Sequence, residues 1–299
     1  MHNFNNLVTR NTKLFFKDKG LFFTSLITPL ILLVLYTTFL SNVYRDAFEM
    51  VISGYALNVD KKILNGLVGG QLMSSLLAVS CVTVSFCSNM LMVQDKVSGA
   101  RNDMLITPVK RSRLAISYYV STTISTLLIC FVALVATLIY VGIIGWYISL
   151  TDLLLIILDV IILVTFGTAL SSVINFFLSS QGQISAVGSI VSSCYGFICG
   201  AYMPLSNFSE GLRNSIMFLP GTYGTSLIRN HTLNGAINAL EGTGAPIQVI
   251  EGLKDSIDCN LYFFGQKVEV WVMYAVMLGT IALLLGGYIL INKLCKGKN

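Results

Sequence analysis

The chain has 299 residues, of which 55% are hydrophobic and only 11% charged, with a net charge of +5 and a mean hydropathy of +0.76. Soluble domains carry roughly 25% charge because their surface faces water. A water-soluble fold is therefore excluded, no nucleic-acid partner is expected, and the expected class is an all-α integral membrane protein. Six apolar runs reach the roughly 20 residues needed to cross a hydrocarbon core.

Residues 1–20 come first. In "NFNNLVTRNTKLFFKDKG", Phe4, Leu7, Val8 and Phe15 fall near one helical face, and Arg10, Lys13 and Lys17 near another. That pattern predicts a helix lying in the interface, its bases towards anionic membrane lipid, although a merely soluble basic tail fits the same residues. The run Leu21–Ser41 is too long for a cleaved signal and lacks a small-residue cleavage site, so it is expected to be a retained first span. Pro29 inside it is tolerated where neighbours satisfy the freed carbonyl.

The second span is expected over Leu67–Val93, the third over Leu114–Trp146 and the fourth over Leu153–Leu178. Between the second and third, residues 94–113 interrupt the apolar pattern with "QDKVSGARNDMLITPVKRSR". Gly99 permits a sharp turn, "RNDMLIT" allows about two turns of helix, and Pro108 stops it by disfavouring helix at the residue before it. Asp159, in "LLLIILDVIILV", is the one carboxylate inside a span. Ionised and lipid-facing it would cost at least ~2.5 kcal/mol, so it should face the interior or be neutral. It is either hydrogen-bonded to a Ser or Thr of a neighbouring helix or part of a substrate path or proton relay.

The fifth span is expected over Ile184–Met203 and the sixth over Val268–Asn292. The small residues of "FGTALSSVINFFLSSQGQISAVGSIVSSCYG" predict close packing in spans four and five. Residues 204–267 are too many for a simple turn. Asn207-x-x-Glu210 has a capping pattern, and Leu212, Ile216 and Leu219 share a face before Pro220 and Gly221 break it. A second short segment follows around Tyr223–Arg229, so two short re-entrant or interfacial helices are expected, then turns with one short surface helix.

An even number of spans puts both termini on one side. That side then holds 12 Lys and Arg against seven on the other, which makes both termini and residues 94–113 cytoplasmic. Of seven cysteines, five lie inside predicted spans, Cys295 is in the tail and only Cys259 is in an outer loop, so no disulfide framework is expected. His2 and His231 are far apart and predict neither a metal site nor a catalytic triad.

The loop "QDKVSGARNDMLITPVKRS" resembles the corresponding loop of the ABC-2 family of ATP-binding-cassette transporter permeases. Asp95, Lys96, Gly99, Leu105, Thr107, Pro108 and Arg111 match its order and spacing, while Ala100 departs from it where a threonine commonly stands. The resemblance implies that residues 1–299 form one permease domain in the cell membrane that performs no chemistry itself. Those seven residues would then contact a separate cytoplasmic ABC ATPase, which binds the ATP and Mg; the bare alternative is a positive-inside anchor with no partner. No phosphate loop G-x-x-x-x-G-K-[ST] occurs, and "LVGGQLMSS" at Leu67–Ser75 only echoes an ABC ATPase signature, Gly69 and Gly70 being read as packing residues. The resemblance further implies pairing with a second permease, identical or sister, and efflux of an amphipathic compound such as a drug, antimicrobial peptide or lipid-like molecule. A lipid-linked polysaccharide or teichoic-acid precursor is an alternative cargo. Asp159, Leu212 and Tyr223 are candidate residues of the substrate path. An ion-coupled secondary transporter using Asp159, or a membrane-anchored signalling or assembly subunit, stands as an alternative of a different class.

Overall fold

A computed structural model describes residues 2–53 and 59–294; Cys295, Lys296 and the Gly297–Lys298 pair of the tail lie outside them. Helix α1 (His2–Lys17) leads to α2 (Lys19–Leu35), whose first turn is capped by Asp18, its carboxylate accepting the Leu21 amide at 3.1 Å. The chain passes Pro29 as helix, widens into a π turn over Tyr36–Leu40 and continues as α3 (Ser41–Ser53). At that turn the hydroxyls of Thr37 and Thr38 donate to the carbonyls of Leu33 and Val34 at 2.8 and 2.6 Å. Then come α4 (Lys61–Ser88), α5 (Met90–Val97), α6 (Ala100–Ile106), α7 (Arg111–Ile144), α8 (Leu150–Phe176) and α9 (Gln181–Ile198). The remaining elements are α10 (Glu210–Ile216), α11 (Pro220–Glu241), α12 (Ile247–Ser256), the strands β1 (Leu261–Phe263) and β2 (Gln266–Val268), and α13 (Val270–Leu294).

Helix α4 is the axis. Nearly every side chain from Ile63 to Ser88 is buried, under α2, α7, α8, α9 and α11. The backbone of α4 comes so close to α11 that a Cβ on Gly70 would meet the Thr232 carbonyl oxygen at 2.7 Å. Gly70 of "LVGGQ" is thus a packing residue. At the break between α4 and α5, the Asn89 side-chain amide donates to the hydroxyls of Ser171 and Ser172 at 2.9 and 3.0 Å. The Asn175 amide returns a bond to the Asn89 carbonyl at 3.3 Å. Small polar residues of the fourth predicted span therefore serve as interhelical glue.

Among the described residues five stretches are long and apolar enough to cross a membrane: Lys19–Met50, Lys61–Val97, Arg111–Ile144, Leu150–Phe176 and Val270–Leu294. Helix α9, on the predicted fifth span, has only 18 residues, is led by Gln181 and Gln183, and leaves Ser185, Ser189 and Ser193 exposed. Its serines are not buried in helix packing as the sequence suggests.

The region between α9 and α13 differs most from expectation. Ser209, not Asn207, is the N-cap of α10, because Asn207 is taken up in a 3₁₀ turn over Leu205–Asn207. Pro220 does not merely end a helix; it opens α11, where a missing N–H costs nothing. The expected short segment is 22 residues long and packs against α4, α8 and α13. The β1–β2 hairpin, paired antiparallel through Leu261–Val268, Tyr262–Lys267 and Phe263–Gln266, is not foreshadowed in the sequence. Its turn places Phe264 at φ +47 and Gly265 at φ +82. A left-handed backbone costs a residue with a side chain roughly 1–2 kcal/mol.

Candidate functional site

The loop between the second and third crossings folds as its sequence dictates. Gly99, at φ +85, turns the chain out of α5 and becomes the N-cap of the seven-residue α6. Thr107 ends α6 in extended backbone, its hydroxyl donating to the Met104 carbonyl at 2.6 Å, and the chain bends at Pro108, the Val109 amide donating to the Thr107 carbonyl at 2.6 Å, before α7 begins at Arg111. A short rigid helix is thereby slung between two long ones.

The candidate coupling residues divide into two groups. Asp95 and Lys96 turn inward. Asp95 is buried and accepts Arg10 of α1 at 2.5 Å and the Tyr118 hydroxyl of α7 at 2.6 Å. This bond holds the Arg10 guanidinium above its ordinary value. Lys96 donates to the carbonyls of Phe176 and Leu178 at 3.2 and 3.0 Å, at the negative end of the α8 dipole. Leu105 rests on the cluster of Met92, Leu114 and Tyr288. Thr107, Pro108 and Arg111 face outward with Ile106, which is 85% exposed. The inward group fixes the loop to α1, α7 and α8, and the outward group is left as a surface.

At mid-bundle Asp159 of α8 is almost fully buried. Its two oxygens meet the His231 Nδ1 of α11 and the Tyr274 hydroxyl of α13, each at 2.6 Å. Its partners are therefore not the Ser or Thr hydroxyls expected, and His231, dismissed from sequence, completes a three-helix polar cluster. Nearer the start of α8, a capping box of Ser149 and Asp152 also receives the Asn234 amide at 2.8 Å. Of the other path candidates, Leu212 is exposed on α10. Tyr223 is buried, its hydroxyl donating to the Met217 carbonyl at 2.7 Å and tying α11 to α10.

A third polar knot joins α11 to the loop beyond it. Arg229 donates to the carbonyls of Ile257 and Gly200 at 2.7 and 2.9 Å and to Asp258 at 3.3 Å. Asp258 accepts the Leu205 amide at 2.9 Å. Burial pushes the Asp258 carboxyl up to about 6 in spite of Arg229. Among the described residues no group of three or more His, Cys, Asp or Glu is placed to hold a metal ion.

Along one side of the bundle two grooves run between α2 and α9. The first, about 730 Å³, is walled by Ile31, Leu35, Phe39, Phe197 and Met203. The second, about 590 Å³, shares Ile27, Thr28, Ser192 and Ser193 with it and ends at Asp18, Gln94 and Gln181.

Several apolar crossings, buried polar bonds between their helices and a short helix strung between two crossings define a multi-pass membrane protein. The sequence matches the ABC-2 type transporter family over residues 2–232, and the chain belongs to that family, as a permease component of an ABC transporter. No curated protein matches the sequence. The family match includes α6 and the start of α11 and leaves α12, the hairpin and α13 beyond its end.

Proposed function

We propose that the chain is the membrane half of an ABC exporter, with ATP and Mg bound and hydrolysed by a separate cytoplasmic subunit. The observation that carries the reading is the construction of α6. It is anchored to three helices by Asp95, Lys96 and Leu105, while Ile106, Thr107, Pro108 and Arg111 remain on the surface. A push on that surface moves α5 and α7 together. In this reading α9 is a short sixth crossing, both termini and α6 are cytoplasmic, and the exposed serines of α9 are covered by a second permease, because hydroxyls facing hydrocarbon are costly. The α2–α9 groove supports an amphipathic cargo, since it is apolar along most of its length and polar at the Asp18–Gln94–Gln181 end.

A photo-crosslinker at Ile106 tests this. It should capture an ATP-binding subunit in membranes, while the same group at Ile139, exposed on the bundle's side, should not. Capture of lipid alone at position 106, or placement of α6 outside the cell by tagging, overturns the reading. The Asp159–His231–Tyr274 cluster favours a second, ion-coupled reading, in which proton-driven transport persists without any ATPase.

A further inference from the structure

Three phenylalanine rings from separate segments meet at the end of the bundle opposite α6. Phe218 follows α10, and Phe263 and Phe264 form the tip of the β1–β2 hairpin. Ring centroids are 5.2 Å apart for Phe218–Phe263, 6.1 Å for Phe218–Phe264 and 4.9 Å for Phe263–Phe264. Phe218 and Phe264 are 64% and 63% exposed, so an entirely apolar cluster faces outward. A two-residue turn with both φ values positive ordinarily takes Asn-Gly. Here a bulky ring occupies the strained first position.

The depth of the cluster follows from its neighbours. Two residues after Phe218, α11 begins within the bundle, where Cβ atoms on Gly221 and Gly224 would meet Tyr195, Leu163 and Met277, and it runs outward from there to Asn234 beside Asp152 and Gly235 beside the Tyr147 carbonyl. At 1.5 Å per residue, Met277 lies about 10 Å along α13 from Val270, and Leu163 about 20 Å along α8 from Leu150. The start of α11 is therefore inside the thickness that α8 and α13 cross, and Phe218, two residues ahead of it, lies within that thickness rather than above it. Trp271, at the start of α13, is 71% exposed, as expected where a crossing leaves the hydrocarbon. The hairpin is two-faced as well. Tyr262 and Lys267 bond to Asp255 and Glu251 of α12, both at 3.0 Å, while Phe263 pairs with Gln266 on the other face.

We propose that Phe218, Phe263 and Phe264 form an aromatic wedge inserted into the lipid leaflet at this end of the bundle, the outer leaflet in the orientation proposed above. Its occupant is the upper acyl-chain region of that leaflet, in a chain whose α13 exposes Leu278 and Leu283. The hairpin is then a membrane contact and not a solvent loop.

The test uses the full chain in lipid nanodiscs. The two tryptophans, Trp146 and Trp271, are replaced by Phe, and Phe264→Trp supplies the single reporter. Lipids brominated near the top of the acyl chain should cause a roughly twofold loss of its emission, as for a ring seated at that depth. Aqueous iodide should quench it far less than it quenches the denatured chain. Strong iodide quenching without a bromine effect overturns the proposal. So does protection from both quenchers, which would place a second copy or another protein over the rings. If Phe264→Trp does not fold, Phe218→Trp in the same background reports on the same wedge with the same outcomes.

Discussion

Two arginine–aspartate pairs among the described residues, Arg10–Asp95 beside α6 and Arg229–Asp258 beside α12, lie in opposite surroundings. Beside α6, the Arg10 side chain is 34% exposed and that of Asp95 9%. Beside α12, Arg229 is 1% exposed and Asp258 7%. The buried pair is tied in from all sides, by two backbone carbonyls on the arginine and a backbone amide on the aspartate. The half-open pair has only Tyr118 and Asn11 besides itself. A charge stripped of its partner in the interior is costly, whereas one near the surface turns to water. The Arg229 knot is thus a permanent join between α9, α11 and the loop after α12. The Arg10 pair joins α1 to α5 beside the α6 loop, and its half-exposed arginine can turn to water.

The largest effect expected from breaking this comparison is at the knot. Asp258→Ala strands Arg229 and should destabilise the protein by about 3–5 kcal/mol, read as a large fall in thermal midpoint in detergent at pH 7.5. Asp95→Ala should cost less, roughly 1–3 kcal/mol, because Arg10 reaches solvent. Its signature is faster amide exchange confined to α1, with weaker coupling of ATP hydrolysis to transport. Equal losses for the two variants would erase the distinction between the buried and the half-open pair. A smaller change, about 0.6–1.7 kcal/mol, is expected for Asp159→Asn, which keeps an acceptor for Tyr274 but removes the charge facing His231. If that variant also abolishes transport in vesicles while His231→Gln shifts its pH profile, the ion-coupled reading gains over the purely structural one.

The finest test is in pH. The Asp258 carboxyl titrates at about 6 in the folded chain, above the ordinary value of about 3.9. Between these values the folded state holds a proton that the unfolded state has released. The stability contributed by this group is therefore full below about 4 and declines as pH rises through about 6. Asp258→Asn should flatten that part of a melting-temperature profile, and an unchanged profile would assign the slope elsewhere.

How much of this was legible in the sequence depended on whether the cause was local. Gly99 and Pro108 bound α6 through their own backbone preferences, so the loop between α5 and α7 could be drawn from its residues. The two faces of α1 were visible, but the burial of Arg10 against Asp95, 85 residues away, was not. His231 and Asp159 are 72 residues apart, and nothing near either announces the other. Helix α11 was cut short because Asn230, His231, Asn234 and Asn238 resemble loop chemistry; they are carried on a helix packed against α4 and α8, where His231 and Asn234 bond Asp159 and Asp152 of α8. The hairpin was missed because Phe-Gly stands where Asn-Gly would have signalled the turn. On α9 an apolar tally did not record that glutamines gather at one end and serines along one side.

The wide turn at Tyr36–Leu40 has a mechanical corollary. Ahead of it the inward positions of the first crossing are Leu21, Ser25, Pro29 and Leu32, and beyond it Tyr44 and Phe48 still point inward. Each residue of an α-helix advances the face by about 100°. Forcing Thr37–Phe39 into regular α-helix at unchanged length would swing both rings most of that far toward the bilayer, whereas excising one residue there would restore a regular spiral with both rings still facing inward. The splice lets a single rod keep its phase along its whole length by absorbing one extra residue, so this point should tolerate the loss of one residue but not the addition of another.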